Sequence, residues 1–463
     1  MYDDNASRRV VQDLRGRVAD ATPGTRLPSV RELVASHHAS PQTVQRAIRT
    51  LVAESLVEAV PGRGTFVADR PGRITAPDLS WQAVELGPRP AGEDAVAALM
   101  ATPRPGMALL SGGYLDPDLL PTAALGAALA RAARRPAAWQ RGDTAGREDL
   151  RAWFARSAGG DLTADDMVIC AGGQAALSTA FRALATPGDT VLMESPTYLG
   201  AIAAARGAGL RVVPVPADAD GVRPDLLAAV FARTAARLFY CQPLYANPTG
   251  AALAPARRAA VLDAVRAAGA FLIEDDYARD LTIDGDPPPP LAAHDPDGHV
   301  VYIRSLTKST APALRVAAIG ARGPAGARLR AVRVVDDFFV AGPLQEAALD
   351  LVSSPAWPRH LKTVRGALRQ RRDALVSALT RHLPGWHPAW VPRGGLHLWV
   401  RLPDGTDDVA LAAAATARGV FVFPGRPWYA AEPAAPHLRL TFAAAPPQAI
   451  DEGIRRLAQA AED

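Results

Sequence analysis

"VVYIRSLTKSTAPALR", residues 300–315, runs from an unbroken apolar stretch into a loop that holds a lysine. Val300–Ser305 reads as a buried strand, because the apolar run is short and turn residues follow it. Lys308 is out of character. Of 51 basic residues, only Lys308 and Lys362 are lysines. A guanidinium stays charged and does not condense usefully with aldehydes. A primary amine does, and burial can lower its pKa enough to make it nucleophilic. Lys308 is thus a candidate Schiff-base lysine. A lysine after a strand is ordinarily structural or solvated, so its neighbours must decide.

Working toward the N-terminus, "MVIC" (167–170), "TVLME" (190–194), "RVVPV" (211–215), "RLFYC" (237–241) and "FLIEDD" (271–276) repeat the pattern of strand, loop and Ala-rich helix. That alternation predicts a parallel α/β sheet. Toward the C-terminus, a basic helical stretch spans residues 359–383. The strand-like "GLHLWVRL" (395–402), "GVFVFPG" (419–425) and "HLRLTFA" (437–443) follow it, and together they suggest a smaller α+β part.

The first ~70 residues are built differently. Ser29 and Glu32 form a capping box before Leu33. Ser40 is the next N-cap, with Pro41 at the first helical position. Val44, Ile48 and Leu51 make an apolar stripe with Ala47 between them, which leaves Gln42, Thr43, Gln45, Arg46 and Arg49 on the other face. "LVEAV" (56–60) and "TFVA" (65–68) alternate like strands around the tip "PGRG" (61–64). Helix, turn, helix and hairpin predict a winged helix-turn-helix, whose second helix enters the major groove. Gln42, Thr43, Gln45 and Arg46 are the candidate DNA-reading residues. Arg31 can reach phosphate, and Arg63 at the wing tip can reach the minor groove or backbone. The expected division is a head at 1–68, a Pro-, Gly- and charge-rich linker at 69–105, partly ordered around Trp81, and a main domain at 106–463 that changes character near 354.

Bulk properties agree. A chain of 463 residues is too long for one ordinary domain, and 49% hydrophobic with 21% charged residues suits a globular protein with a sizeable core. A net charge of +4 requires any DNA contact to come from a local patch. Cys170 and Cys241 cannot make a disulfide framework and suit a reducing compartment. "MYDDNASRR" has no apolar signal-peptide core, and no apolar run is long enough for a bilayer. The expectation is a cytoplasmic protein with no membrane partner.

Six motifs, "AGGQAAL" (171–177), "ESPTYLG" (194–200), "ANPTG" (246–250), "IEDDYARD" (273–280), "SLTKSTAPALR" (305–315) and "HLRLTFA", occur in the order found in fold-type-I aminotransferases, which use pyridoxal 5′-phosphate (PLP). Joined to the winged head, the chain resembles the MocR subfamily of GntR-type transcriptional regulators over nearly its whole length. The resemblance implies a role for each motif. Gly172, Gly173 and Gln174 open a helix that offers backbone N–H groups to the phosphate, and Ser305 and Arg315 complete the cup. Asp275 keeps the pyridine nitrogen protonated, although Glu274 and Asp276 are rivals and one of the three could simply cap a helix. Asn247 and Tyr277 serve the phenolate oxygen, and Tyr198 stacks on the ring; both tyrosines are also compatible with core packing. Arg439 grips the α-carboxylate of a substrate or effector, or else forms an ordinary salt bridge.

This chain departs from the family pattern in places. Arg141 stands where the family often has a pocket-lining Tyr, "WFARSAGGDLT" (153–163) is shorter than usual, and Pro41 and Gln45 replace arginines common in GntR heads. The resemblance implies a head-to-tail homodimer on a double-stranded operator. It would sense a small amine or amino acid through external aldimine formation at Lys308. A working aminotransferase with a DNA-binding appendage, and a regulator that responds to PLP itself, remain as alternatives.

Overall fold

The computed structural model describes residues 2–68, 78–86 and 93–462. It divides into two compact units, Met1–Arg89 and Pro90–Asp463.

In the first unit, α1 (Tyr2–Asp20), α2 (Val30–His37) and α3 (Pro41–Ala53) precede the strands β1 (Val57–Val60) and β2 (Gly64–Val67). Val10, Leu14 and Val18 of α1 are buried with Leu33, Val44, Ala47, Ile48 and Leu51 in one core. The capping box forms as expected: the Ser29 N–H donates to Glu32 Oε2 at 2.7 Å, and the Glu32 N–H to Ser29 Oγ at 3.3 Å. Ser40 caps α3, accepting from the Thr43 N–H at 3.1 Å. The hairpin pairs Val60 with Gly64 across the tip. Leu27 and Val67 donate N–H bonds to the carbonyls of Thr65 and Thr25, so the chain entering α2 is joined to β2 by an antiparallel bridge between Arg26 and Phe66.

One expectation fails here. Thr43 is not on the exposed face; it is buried at 1% exposure, with its hydroxyl 2.8 Å from Ser40 Oγ. Its register explains why. Thr43 is one residue before Val44 and four before Ala47, so it lies at the edge of the apolar stripe and seals the helix start. Arg31, Gln42, Gln45, Arg46 and Arg63 are exposed.

Of the stretch read as a linker, 69–77 and 87–92 lie outside the described residues. Within the rest, Ser80–Leu86 and Glu93–Leu99 are helical, and Trp81 is exposed.

In the second unit, β3 (Ala108–Leu109) follows the helix Glu93–Leu99. Its main sheet contains β4 (Met167–Cys170), β5 (Thr190–Ser195), β6 (Arg211–Asp218), β7 (Gly221–Val222), β8 (Leu238–Cys241), β9 (Phe271–Asp275), β10 (Val300–Ser305) and β11 (Ala317–Gly320). Their order across the sheet is β4-β11-β10-β9-β8-β5-β6-β7. The centre from β6 to β10 is parallel, as the alternation of strands and helices predicts. The sheet as a whole is mixed, because β11 runs antiparallel to β10 and β4, and β7 antiparallel to β6. β11 follows β10 through the lysine loop with no crossover helix, and such a connection can only return antiparallel. Buried apolar side chains cover both faces of the sheet.

The C-terminal part packs the long helix Ala356–His382 against a four-stranded antiparallel sheet of β12 (His387–Pro388), β13 (His397–Arg401), β15 (Phe423–Pro424) and β16 (His437–Thr441). β14 (Val420–Phe421) pairs in parallel with β3, which ties the start of this unit to its end. The basic helix is not a freely solvated face. Arg371 and Arg372 are buried, and Arg365, Arg369, Arg371 and Arg372 bond carbonyls or carboxylates of other elements. Among the described residues, no helix is long and apolar enough to cross a membrane.

Candidate functional site

Ligands in open α/β sheets bind beyond the carboxyl ends of the strands. Here β4, β5, β8, β9 and β10 point the same way. Their ends deliver Gly172, Tyr198, Gln242, Asp275 and Lys308 to one edge of the sheet.

Lys308 sits in the turn after β10. Its Nζ donates to the Gly113 carbonyl at 2.8 Å and lies 3.8 Å from the centroid of the Tyr114 ring. Burial brings the amine's pKa down to about 7, helped by the positive charges of Arg439 and Arg315 and opposed by Asp275. A lysine in that state is a competent nucleophile at neutral pH.

Asp275 is buried at the end of β9. Its Oδ2 accepts from Tyr240 OH and from Gln242 Nε2, both at 2.8 Å. Burial pushes the carboxyl up to about 6, against the pull of those two donors. The neighbouring acids are used elsewhere. Glu274 accepts the backbone N–H groups of Leu291 and Ala292 at 2.8 and 2.9 Å, and Asp276 pairs with Arg279 and takes the Tyr302 hydroxyl. Asp275 is left as the acid that faces Lys308 electrostatically.

An anion cup forms beside them. Gly172 has φ 94° and precedes the helix Gly173–Leu184, whose first N–H groups are free of side chains. A Cβ at Gly172 would lie 2.3 Å from Arg315 Nη2, so glycine is needed for both the backbone conformation and the close approach. Arg315 Nη2 also bonds the Ala171 carbonyl at 2.9 Å, and Ser305 borders Gly173. Thr307 Oγ1 is buried with no protein partner. A helix N-terminus, a guanidinium and small hydroxyls suit a phosphate. Gln174 contributes only its backbone, because its side chain bonds the Gly200 carbonyl at 2.8 Å and accepts from Tyr198 OH at 3.1 Å. That clamp positions the half-buried Tyr198.

Asn247 Oδ1 accepts from Arg439 Nη1 at 3.2 Å, which leaves the amide Nδ2 as a donor. Tyr277 departs from its expected role. Its one hydroxyl hydrogen goes to the Tyr245 carbonyl at 2.7 Å, so as placed it offers a ligand only an acceptor.

Arg439 lies on β16, 1% exposed, with its guanidinium 4.3 Å from the Trp428 ring centroid. Nη2 bonds the Ser111 carbonyl at 2.5 Å, and Nε has no partner. No carboxylate pairs with it among the described residues. Burial pulls its pKa down to about 9, with Tyr277 and Tyr198 opposing. A buried cation without an anion is costly unless a ligand supplies the charge.

The sequence reading missed several residues of this site. Ser111, Gly113 and Tyr114 arrive from the chain just after β3, and their only signal is the Gly-Gly pair in "SGGY" (111–114). Gln242 joins Asp275 to Asn247, because its Oε1 accepts the Asn247 N–H at 2.8 Å. His397 is buried on β13, with Nδ1 unpartnered; burial and then the charges of Arg439 and Lys308 hold its pKa well below the ordinary value. Arg141 is exposed.

This arrangement pairs a nucleophilic amine with an acid, an anion cup and an uncompensated guanidinium. The chemistry of this set suits a phosphorylated aldehyde and a carboxylate. Comparison with known proteins agrees. Residues 105–457 match the aminotransferase class I and II family, and residues 6–67 match the bacterial regulatory proteins of the gntR family. The chain therefore belongs to the aminotransferase class I and II family and carries a gntR-type DNA-binding head. That pairing is the one found in MocR regulators. The probable rhizopine catabolism regulatory protein MocR of Rhizobium meliloti is 26% identical over 98% of this chain and 93% of its own. The uncharacterized HTH-type transcriptional regulator YdfD of Bacillus subtilis is 26% identical over 97% of this chain and 95% of its own. Among solved structures, LysN, the alpha-aminoadipate aminotransferase of Thermus thermophilus in complex with N-(5′-phosphopyridoxyl)-L-leucine, is 29% identical. It superposes with a TM-score of 0.74 over 83% of this chain and 98% of that one. The family indicates pyridoxal 5′-phosphate as the cofactor, and the residues present fit it.

Proposed function

We propose that this chain is a PLP-dependent transcriptional regulator that senses an amine or amino acid. Residues 1–68 bind an operator, 69–105 connect, and 106–463 sense the effector. When bound, PLP supplies an aldehyde that condenses with primary amines and a ring that withdraws electrons. Lys308 Nζ would hold the aldehyde carbon. Asp275 would hold a proton at the ring nitrogen. Gly172, Gly173, the Gln174 N–H, Ser305 and Arg315 would hold the phosphate, Asn247 Nδ2 would donate to the phenolate oxygen with Tyr277 nearby, and Tyr198 would cover the ring. Lys308 would give way to an effector amine, whose carboxylate Arg439 would hold. The exchange biases a two-state equilibrium in a head-to-tail dimer and so changes operator affinity.

The observation that carries this reading is Arg439, a buried cation with no anion beside it among the described residues, in the same site as an amine whose pKa burial brings down to about 7. In the test, purified protein is incubated with PLP, then with single amino acids, and absorbance and operator binding are followed together. One spectral change accompanied by altered DNA binding supports the regulator. Repeated production of keto acid with an acceptor present supports the second reading, a working aminotransferase. The neutral-range pKa of Lys308 favours that reading, because a proton carrier needs such a value. DNA binding that follows PLP without any amine would make the cofactor itself the signal. A protein that stays colourless, with no borohydride-fixed mass on Lys308, would overturn all three.

A further inference from the structure

Gly113 and Tyr114 belong to none of the motifs, yet they make the polar contacts of Lys308. Nζ meets a carbonyl oxygen at 2.8 Å and an aromatic face at 3.8 Å. A carbonyl lone pair and a ring face together suit an ammonium ion. The segment that carries them is fixed at both ends. The Leu110 carbonyl accepts from the Thr441 N–H at 2.8 Å, and the Asp116 N–H donates to the Ala443 carbonyl at 2.9 Å. Asp116 Oδ2 takes Arg371 Nη2 at 2.9 Å, and the Ser111 carbonyl takes Arg439. The two contacts are therefore preorganised.

We propose that the Gly113 carbonyl and the Tyr114 ring form a berth for the ε-ammonium of Lys308, which holds it after a ligand amine has replaced it on the cofactor. This rests on the sensor reading above. In the exchange, the ligand nitrogen forms a double bond to the aldehyde carbon as Lys308 Nζ gives up its own. Two protons pass from the ligand ammonium to Nζ, and nothing is oxidised or reduced. The released charge needs such a berth, because Arg439 and Arg315 both oppose it. Among the described residues, Asp275 is the charge that favours it. By lowering the energy of the released lysine, the berth shifts the exchange toward the ligand-bound state.

Two measurements test this. With lysine labelled at 13Cε, the protein gives two ε-methylene signals, one each for Lys308 and Lys362, assigned with K362R. In the cofactor-free protein, the Lys308 protons are expected upfield through the Tyr114 ring current. The shift should persist in Y114F and vanish in Y114L. The PLP-loaded protein is then titrated with glycine and quenched with borohydride, and mass spectrometry divides the cofactor between Lys308 and glycine. Y114L should need roughly ten-fold more glycine for half exchange, with Y114F close to the unsubstituted chain. Equal midpoints for Y114L and the unsubstituted chain would overturn the berth. So would an unshifted Lys308 signal in the unsubstituted protein, which requires no variant to fold. Failure to take up PLP at all appears before any glycine is added, and it strikes the sensor reading instead.

Discussion

The arginines of α3 and the arginine of β16 are the same side chain in opposite settings. Arg46 and Arg49 stand exposed on a helix whose other face is buried against α1. Arg439 is enclosed, stacked under Trp428 and bonded to Asn247 and Ser111. Exposed cations attract a polyanion through counterion release, so their effect falls as salt rises. A buried cation is little screened, and its strength depends on fit. The head should therefore be the salt-sensitive reader and the second unit the salt-tolerant one.

The largest break in that contrast should come from R439L. Removing one partner of a buried, hydrogen-bonded charge pair costs about 2–5 kcal/mol, a loss of roughly thirty-fold to a few thousand-fold in amino-acid affinity. PLP uptake should survive, and calorimetric titration of the loaded protein checks both. If R439L binds amino acids as tightly as the unsubstituted chain, Arg439 is a structural arginine.

Next comes pH. The Lys308 pKa falls from 10.5 to about 7, so the reactive neutral amine is lost as pH drops below that value. The rate of PLP attachment should fall about ten-fold per pH unit below ~7 and level off above it. Stopped-flow absorbance from pH 5.5 to 9 reads this. A rate that keeps rising to pH 10 would mean an ordinary, exposed lysine.

R46A sharpens the other side. Operator affinity should drop, and the slope of log affinity against log salt should shrink by about 1, while amino-acid binding is unchanged. Fluorescence anisotropy at several salt concentrations distinguishes this from loss of a base contact, which would leave the slope alone.

The smallest effect is expected at Thr43. Its hydroxyl meets Ser40 at the start of α3, so T43A should lower head stability by about 0.5–1 kcal/mol through a weakened cap. It should leave operator sequence preference intact. A changed footprint with unchanged melting would return Thr43 to the DNA-reading face.

The sequence was most legible where a local rule operates. Ser29 with Glu32, and Ser40 before Pro41, announce their helix starts because capping needs only neighbours in the chain. Strand ends were legible through apolar runs, which is why Asp275 and Lys308 fall at the ends of β9 and β10. α1 was not legible although Val10, Leu14 and Val18 recur at four-residue spacing, because Val11 blurs the stripe and most of the other intervening residues are charged or polar. β11 escaped because "AAIG" (317–320) is too short and small to read as a strand. Thr43 was misplaced because side-chain type suggested exposure, whereas its register put it against Ser40. Tyr114, Gln242 and His397 were beyond reach, since their importance lies in contacts far along the chain. Gly113 and Lys308 are a case in point, 195 positions apart.

β3 is only two residues long, yet its pairing with β14 sets how the chain can respond. Residues 108–116 are stitched to the C-terminal sheet, to Arg439 and to Lys308. This is also the run through which the polypeptide leaves toward its amino-terminal end. Residues 108–116 are thus held by hydrogen bonds along most of their length, with few free backbone positions among those nine.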